Sequence, residues 1–248
     1  LHNKDFKHIK MSSSSLGIIL NYYFYKETSL ILDVFTKNYG RISLVAKGAR
    51  RESSKYKGKI IYFQTLELDW GGKGDLFTLY NLDWTGKNKI FTGHQLINAY
   101  YLNELLFKLL PKAEENINIF NLYNETLILL ANSENSIPIL RNYEYSFLDY
   151  LGYKPRLDTE IDNNKPISEN LHYQYVLDSG PKQVQFSDGK LVFSGDSLLK
   201  IKNRNWNDSQ VLNDAKLLFR EIINNIIGYK KVYSRELVNF FYNDKSKR

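Results

Sequence analysis

Residues 40–59 of this chain read GRISLVAKGARRESSKYKGK. In the first half of this stretch, apolar residues recur at every second position, at Ile42, Leu44 and Ala46. A period of two predicts a β-strand with one face in a core and the other in solvent. Arg41 and Lys47 fall on the other face, so we expect both to project outward, about 20 Å apart at ~3.3 Å per residue. We expect the strand to end at Gly48 and a flexible loop to follow it.

The same stretch concentrates the positive charge of the protein. It holds seven cations against a single acid, Glu52, whereas the net charge of the whole chain is only +7. The cations are Arg41, Lys47, Arg50, Arg51, Lys55, Lys57 and Lys59. So many like charges repel one another unless an anion neutralises them, and nucleic-acid phosphates are anions of the right kind. A solvated, lysine-rich surface is the alternative, although surface charges usually alternate in sign.

Composition sets the broad class of the protein. At 248 residues, 43% hydrophobic and 15% aromatic, the chain can form one large domain or two modest ones with a real core. It contains no cysteine, which excludes disulfides, thiolate zinc sites and a cysteine nucleophile. No apolar run reaches the ~18 residues of a membrane-spanning helix, and we expect no signal peptide. We expect the natural start at Met11, the only methionine, with residues 1–10 an addition.

The period of two extends from residue 16 to about residue 80. Short strands with no helix between them that is long enough for a βαβ unit predict a small closed barrel. We place the strands at residues 16–25, 28–36, 41–47, 62–70 and 76–80. The glycines in residues 71–74 lack the Gly-Lys-Ser/Thr ending and the following helix of a phosphate-binding loop, so we interpret them as a hairpin turn.

Beyond about residue 90 the apolar period changes to 3.6, which is typical of helices. Helices are expected at residues 102–110, 119–130, 143–151 and 212–227, and from Ser234 to Phe241. After a polar loop at 154–170, short strands are expected at residues 173–177, 183–186 and 190–193, with a turn at 187–189. The second half is therefore predicted to be a helical domain with a small β insertion.

Several short motifs in this chain, taken together, resemble one protein family. They are YKETSL at residues 25–30, DVFT at 33–36, LVAKGAR at 44–50, YLNELL at 101–106, LGY at 151–153 and SREL at 234–237. Each motif alone is weak, but their combination is similar to the RecO family of bacterial recombination mediators. The resemblance extends from about residue 12 over nearly the whole chain.

The resemblance implies an α+β fold. It consists of an N-terminal five-stranded OB-fold barrel at residues 12–88 and a C-terminal helical domain at residues 89–248, with the β insertion at about 154–196. Members of the family bind single- and double-stranded DNA, anneal complementary strands and bind the acidic C-terminal tail of single-strand-binding protein. With RecR they help to load RecA onto coated strands. The family further implies a cytoplasmic, nucleoid-associated protein that is not an enzyme and has no cofactor, small-molecule substrate or membrane contact.

One feature departs from the family pattern. Many relatives carry four cysteines in the β insertion as a zinc site, whereas residues 154–196 here contain no cysteine and a lone histidine, His172. One histidine cannot complete a tetrahedral site, so we predict a zinc-free insertion with no metal. Its stability is then expected from the packing of Tyr173, Tyr175, Val192 and Phe193 on the helices.

For DNA, we predict phosphate contacts that position a strand without reading its sequence. The predicted phosphate-binding residues are Arg41, Lys47, Arg50, Arg51, Lys55 and Lys57. Tyr39 and Tyr56 either stack on bases or pack at the rim of the barrel. We interpret the aromatic residues 22–25 as strand core and rim rather than as a stacking platform.

A peptide that ends in acidic and aromatic residues needs an apolar pocket with a cation at its mouth. The resemblance places this cation at Arg141, and we expect the pocket walls at Tyr145, Phe147 and Leu148. The alternative for Arg141 is an ordinary arginine on a helix surface. A second basic cluster either extends the DNA path or complements a helix C-terminus. Its members are Lys230, Lys231 and Arg235.

Two other classes of function stay open from the sequence. A structural adaptor would use the basic stretch to dock an acidic protein and would bind DNA poorly. A metal-dependent nuclease would need acids clustered around a metal, whereas the acids of the barrel lie on different predicted strands. Those acids are Glu27, Asp33, Glu67, Asp69 and Asp75.

Overall fold

Five strands close into a barrel in the computed structural model of this protein, which describes residues 12–86, 88–187 and 189–237. The strands are β1 (Ser12–Tyr25), β2 (Ser29–Thr36), β3 (Gly40–Ala46), β4 (Leu66–Gly71) and β5 (Leu76–Trp84). Their order is β1-β2-β3-β5-β4, and β4 pairs back with β1. Only the pairing of β3 with β5 is parallel. The predicted five-stranded barrel is confirmed, although β4 begins at Leu66 rather than at residue 62.

The barrel core follows from the alternation along the strands. Inward-facing apolar residues of β2 and β3 lie opposite one another and are buried. These pairs are Leu30 with Ala46, Leu32 with Leu44 and Val34 with Ile42. β2 is also buried on its other face, where the ring of Phe35 packs against Phe120 with 5.6 Å between ring centroids. Because β2 is covered on both faces, it carries apolar residues on both.

Two helices, α1 (Gly93–Leu109) and α2 (Ile117–Ala131), follow the barrel in the chain. The described chain forms two compact units, and each of these helices contributes to both. Residues 102–124 group with the barrel, up to Ile90, as the first unit. Residues 91–101 group with the chain from Glu125 onward as the second unit. The predicted boundary between domains at residues 88 and 89 stays a prediction.

A β-bulge in β1 is satisfied by a side chain of α1 within the first unit. The register of β1 against β2 shifts between Ile19 and Asn21, so Leu20 has no partner in that ladder. The side-chain amide of Asn103 donates a hydrogen bond to the Leu20 carbonyl. The buried hydroxyl of Tyr123 donates to Asn103 Oδ1 at 2.8 Å, and burial holds the pKa of Tyr123 above its ordinary value. The bulge therefore leaves no unmet carbonyl at Leu20.

The described part of the second unit contains three further helices of at least eight residues, a short final helix and a small sheet. The helices are α3 (Ile137–Tyr150), α4 (Gly195–Lys202) and α5 (Ser209–Ile226). The sheet has the order β7-β6-β8, from β6 (His172–Val176), β7 (Gly180–Val184) and β8 (Val192–Ser194). Ser194 caps α4 by accepting from the Ser197 amide at 3.1 Å, and Asp208 caps α5 by accepting from the Gln210 amide at 2.8 Å. The sequence pattern did not predict α4.

Some predicted features fall partly beyond the described residues. The last short helix is observed at residues 234–237, and the rest of its predicted range up to Phe241 lies outside the described chain. Asp188 of the predicted turn and the predicted start at Met11, with residues 1–10, also lie outside it. Within the described ranges, no helix is long and apolar enough to cross a membrane.

Aromatic packing fills the β insertion. Tyr173 of β6 lies opposite Phe193 of β8, and both are buried. The Tyr173 hydroxyl accepts from the Ser168 amide at 2.9 Å, which holds the preceding loop on the sheet. Burial raises the pKa of Tyr175 to about 12. In the part of the chain that the structure describes, no three His, Cys, Asp or Glu side chains come together to hold a metal ion.

A glycine at the start of β3 permits a close approach of two backbones in the first unit. Gly40 has a φ of 63°, and a Cβ built on it would lie 2.1 Å from the carbonyl oxygen of Glu114. The neighbouring Ala113 amide donates to the Arg41 carbonyl at 2.9 Å, so the segment after α1 is held against β3. Any side chain at residue 40 would have to push that segment away.

We therefore expect Gly40→Ala to destabilise the protein strongly. Gly58 has a similar φ of 72° but no atom within 4 Å of its would-be Cβ, so Gly58→Ala is a matched control for the backbone cost alone. That cost is about 1–2 kcal/mol. The clash should add about 1–3 kcal/mol for Gly40→Ala in urea unfolding. Equal losses for the two variants would show that the approach of residue 114 does not constrain the fold.

Candidate nucleic-acid interface

The connection that leaves β3, residues 47–59, carries most of the exposed positive charge of the barrel, and we name it the basic loop. It is a series of tight turns rather than the flexible loop that the sequence suggested. Arg51, Ser54, Lys57 and Lys59 each donate their amide to the carbonyl three residues earlier, at 3.0–3.1 Å. These turns give the backbone of the loop a defined shape, from which its cations project.

Tyr56 anchors the basic loop in the barrel. Its side chain is 4% exposed and packs in the barrel core, and its hydroxyl donates to the Leu79 carbonyl at 2.9 Å. Burial also raises the pKa of Tyr56. Tyr56 therefore holds the loop and does not offer a ring face to a base, which corrects the stacking alternative for this residue. Tyr39 is 43% exposed and packs edge-on against Trp70 with 5.1 Å between ring centroids.

A second attachment joins the basic loop to the hairpin between β1 and β2. The Arg50 amide donates to the Thr28 carbonyl at 2.8 Å. The Arg50 guanidinium lies over the ring of Phe24, with Cζ 4.3 Å from the ring centroid. The loop, the hairpin and the exposed ring of Phe24 thus form one continuous surface. The sequence pattern gave no signal for this contact.

The cations of the loop differ in how far they are already neutralised. Lys57 pairs with Glu52, and Lys59 pairs with Asp83, a hydrogen bond that lowers the pKa of the Asp83 carboxyl. Lys55 donates to the Tyr80 carbonyl. Within the basic loop, all of which the structure describes, four exposed cations form no ion pair with a described carboxylate within 4 Å. These are Lys47, Arg50, Arg51 and Lys55, and we name them the unpaired cations.

Arg41 does not belong to this surface, which corrects the expectation that it projects into solvent beside Lys47. Its guanidinium makes two bonds to Asp33, with Nε 2.7 Å from Oδ1 and Nη2 3.0 Å from Oδ2. Its Nη1 donates to the carbonyls of Phe107 and Leu110 at the end of α1. The side chain is only 12% exposed, so its charge stabilises the first unit and is not available to a phosphate.

A lysine distant in sequence takes the place predicted for Arg41 on the outside of β3. Lys112 is exposed, and its ammonium donates to Ser43 Oγ at 3.1 Å. Ser43 faces away from the barrel interior on the same side of the strand as Lys47. Because Lys112 lies sixty-nine positions from Ser43, no local pattern could have placed it there.

The predicted tail-binding residues of the second unit do not line one common pocket. A cavity of about 870 Å³ opens there, and Arg141 lines it, whereas Tyr145, Phe147 and Leu148 do not. Phe147 and Leu148 are fully buried, and Tyr145 lies beneath the guanidinium of Arg204 at 5.0 Å. The prediction of these three as pocket walls is therefore corrected. The apolar lining comes instead from Ile97, Tyr101, Ile137, Leu140, Leu212 and Val232.

Arg141 is a buried pocket residue rather than a surface arginine. It is 5% exposed, and its Nη2 donates to Glu144 Oε1 at 3.1 Å, which also accepts from the Tyr101 hydroxyl at 2.6 Å. Arg141 Nε lies 3.1 Å from Glu144 Oε2, but the two atoms are not aligned, and each is buried without a hydrogen-bond partner. Burial raises the pKa of Glu144, and the Arg141 charge opposes that shift.

The second basic cluster of the sequence contributes to the same cavity. Lys230, Lys231 and Arg235 all line it. Arg235 Nη1 donates to Asn224 Oδ1 at 2.7 Å and its guanidinium lies over the Tyr101 ring, whereas Nη2 is buried without a hydrogen-bond partner. The cavity therefore combines an apolar lining with four cationic residues, Arg141, Lys230, Lys231 and Arg235.

The acids of the barrel do not form a metal site within the described ranges. Asp33 is paired with Arg41, and Glu27 is exposed in the turn between β1 and β2. Glu67 and Asp69 lie on β4, and Asp75 precedes β5. No observation favours the nuclease hypothesis.

Comparison with known proteins gives a consistent match along the chain. The model of the recombination protein O N-terminal domain matches residues 11–87, and that of the recombination protein O C-terminal domain matches residues 91–227. A protein of Nitrosospira multiformis named DNA repair protein RecO is 37% identical, over 91% of this chain and 94% of that relative. Proteins of the same name are each 36% identical in Aromatoleum aromaticum, over 90% and 93%, and in Coxiella burnetii, over 86% and 92%.

The position of Arg41 predicts a large stability effect. Arg41→Met leaves Asp33 buried without its cation, which should lower the free energy of unfolding by about 3–5 kcal/mol. Arg41→Met/Asp33→Leu removes both charges and should cost less than the single substitution. Arg51→Ala, on the exposed loop, is the control and should stay within about 0.5 kcal/mol of the parent protein. Urea unfolding measures all three, and a single substitution no costlier than the control would refute the buried pair.

Proposed function

The chain belongs to the RecO family of DNA repair proteins, and from this membership we propose that it is a non-catalytic mediator of recombination whose basic loop binds DNA. The role in DNA repair follows from the family itself. The proposal that the basic loop binds DNA rests on the unpaired cations, which are exposed on a loop whose backbone is held by hydrogen bonds. Four such charges with no carboxylate within 4 Å call for an anionic ligand.

The unpaired cations act on DNA through its phosphates. Because Tyr56 and the Thr28 contact already hold the loop, little conformational entropy is lost when a strand binds. Phosphate contacts carry no sequence information, so binding is general. The same charges lower the repulsion between two strands that approach together, which speeds annealing of complementary strands without ATP. Single- and double-stranded DNA are both ligands in this account.

The cavity of the second unit binds the acidic C-terminal tail of single-strand-binding protein. Supporting this assignment are the apolar lining of the cavity and the cationic residues Arg141, Lys230, Lys231 and Arg235 in its wall. A peptide carboxylate forms charge-assisted hydrogen bonds with such cations. Tethering through the tail raises the effective concentration of the protein at coated DNA. There, together with RecR, it helps to load RecA, in the cytoplasm at the nucleoid.

We expect DNA affinity to depend steeply on salt through the unpaired cations. For a single strand, each neutralised phosphate contributes about 0.7 to the slope of log affinity against log salt. Arg50→Ala/Arg51→Ala should therefore flatten the slope by about 1.4, measured by fluorescence anisotropy with labelled single-stranded DNA. Lys165→Ala/Lys182→Ala removes two exposed lysines of the second unit and should leave the slope unchanged.

The structural adaptor makes the opposite prediction for this experiment. If the parent protein binds DNA weakly and the arginine substitutions change nothing, the basic loop docks an acidic protein and the DNA proposal fails. An equal flattening of the salt slope in the lysine control would show that only the net charge of the protein matters. It would contradict a specific role for the basic loop in DNA binding.

We expect Glu144 to weaken tail binding because its carboxylate occupies Arg141. Glu144→Gln should raise the affinity for an acidic peptide with a free C-terminal phenylalanine by at least about fivefold, or ~1 kcal/mol. The affinity of the parent protein should also rise as the pH falls, because burial raises the pKa of Glu144 and its carboxylate is therefore neutralised at a higher pH than that of an exposed glutamate. The Glu144→Gln variant should lack that rise.

Calorimetric titration measures these affinities, and the same peptide with an amidated C-terminus is the control. Amidation removes the terminal charge and should reduce both the affinity and the gain from Glu144→Gln. An unchanged affinity in Glu144→Gln, with a protein still folded in urea unfolding, would place the peptide away from Arg141.

A further inference from the structure

The most exposed aromatic side chain of the described barrel lies beside the basic loop. Phe24 of β1 is 74% exposed, and its neighbour two residues earlier, Tyr22, is 37% exposed. Tyr22 stacks on Tyr62 with 5.4 Å between centroids and 21° between ring planes. The Arg50 guanidinium covers part of the Phe24 ring at 4.3 Å. Two partly exposed aromatic rings, Tyr22 and Phe24, thus lie on β1, and the Arg50 cation of the basic loop covers one of them.

The path of β1 explains why these rings are exposed. β1 pairs with β4 only from Ser12 to Gly17, and the bulge follows at Leu20. From Asn21 onward β1 pairs with β2 alone, with Tyr22 opposite Leu32 and Phe24 opposite Leu30. Directly opposed residues share a face, so Tyr22 and Phe24 continue the inward face of the barrel. That face runs beyond the core, and its aromatic side chains reach solvent.

The surroundings of Phe24 select among ligands. An apolar groove for a protein helix would place further aliphatic side chains beside the ring. The exposed residues of the adjoining turn and of the basic loop are instead mostly charged: they include the cations Lys26, Lys47, Arg50 and Arg51, and Glu52 is the acid of the loop. Glu27 is the acid of that turn. A ligand that matches both features carries flat aromatic faces on an anionic backbone, which describes an unpaired nucleic-acid strand.

We propose that Phe24 is a base-stacking residue for single-stranded DNA, with Arg50 as the cation that covers its ring until a base replaces it. This inference rests on the proposed function of the basic loop. It also revises the interpretation of residues 22–25 as strand core and rim only. When a base stacks on Phe24, the displaced Arg50 guanidinium turns to the phosphates of the same strand.

Stacking on Phe24 distinguishes single strands from duplexes. In a duplex the base faces are already stacked and paired, so they are not available to a side chain without the cost of extruding a base. Phosphates are present in both ligands. Phe24 therefore adds affinity for single strands alone, whereas the unpaired cations add affinity for both.

The test measures anisotropy of a labelled single strand and of the duplex of the same length. Phe24→Ala should weaken single-strand binding about 5- to 100-fold, as removal of one stacking ring does, and leave duplex binding unchanged. Phe24→Trp should restore single-strand binding. Phe186→Ala removes a half-exposed phenylalanine of the second unit and should change neither the single-strand affinity nor the duplex affinity. The salt slope should be unchanged in Phe24→Ala because no charge is removed.

Each outcome separates this inference from the proposed function. If the parent protein binds both DNAs and Phe24→Ala changes neither, or lowers both equally, the stacking assignment is wrong and the phosphate account stands. Failure of tryptophan to restore binding, with urea unfolding unchanged, would also overturn the assignment. If the parent protein binds neither DNA, the proposed function itself is wrong, and the stacking inference falls with it.

Discussion

Closure of the barrel by the parallel pairing of β3 with β5 is the constraint from which the candidate interface follows. A closed barrel leaves no free strand edge, so a ligand can meet only the loops and the outer surface. Because β4 lies between β3 and β5 in sequence but not in the barrel, the chain must leave β3, cross to β4 and return. The basic loop is the first part of that crossing, which ends where β4 begins at Leu66. The loop tolerates its positive charge because acids neutralise part of that charge, and because Tyr56 and the Thr28 carbonyl hold the loop on the barrel.

Two buried arginines of this chain differ in how fully their guanidinium groups are hydrogen-bonded. Arg41 is enclosed by Asp33 and by carbonyls at the end of α1, where breaking the pair is costly. Arg141 is equally buried, but its Nε has no hydrogen-bond partner and it lines a cavity. The fully paired Arg41 stabilises the first unit, whereas Arg141 lines the cavity for which we propose an anionic ligand. The structural environment, rather than the residue type, separates the two arginines.

Much of the fold could be predicted from the sequence because barrel strands carry a local signal. The alternation at Ile42, Leu44 and Ala46 gave β3, and the combined motifs gave the family. The period of two could not show that Arg41 is enclosed while Lys47 is exposed, because the partners of Arg41 at Phe107 and Leu110 lie far along the chain. In α3, eight of the nine residues from Leu140 to Leu148 are buried, so helical spacing could not separate pocket residues from core. The sequence pattern predicts a rim position for Phe24 and cannot show its contact with Arg50, which is also long-range.

The central claim is that the basic loop is where DNA contacts the barrel. Chemical acylation of lysines, quantified by mass spectrometry with and without single-stranded DNA, tests it on the unmodified sequence. The account predicts that Lys47 and Lys55 are protected by DNA at low salt and become reactive again at high salt, whereas Lys165 and Lys182 react equally throughout. Protection confined to the lysines of the second unit, or no protection of Lys47 and Lys55 when DNA is bound, would contradict it.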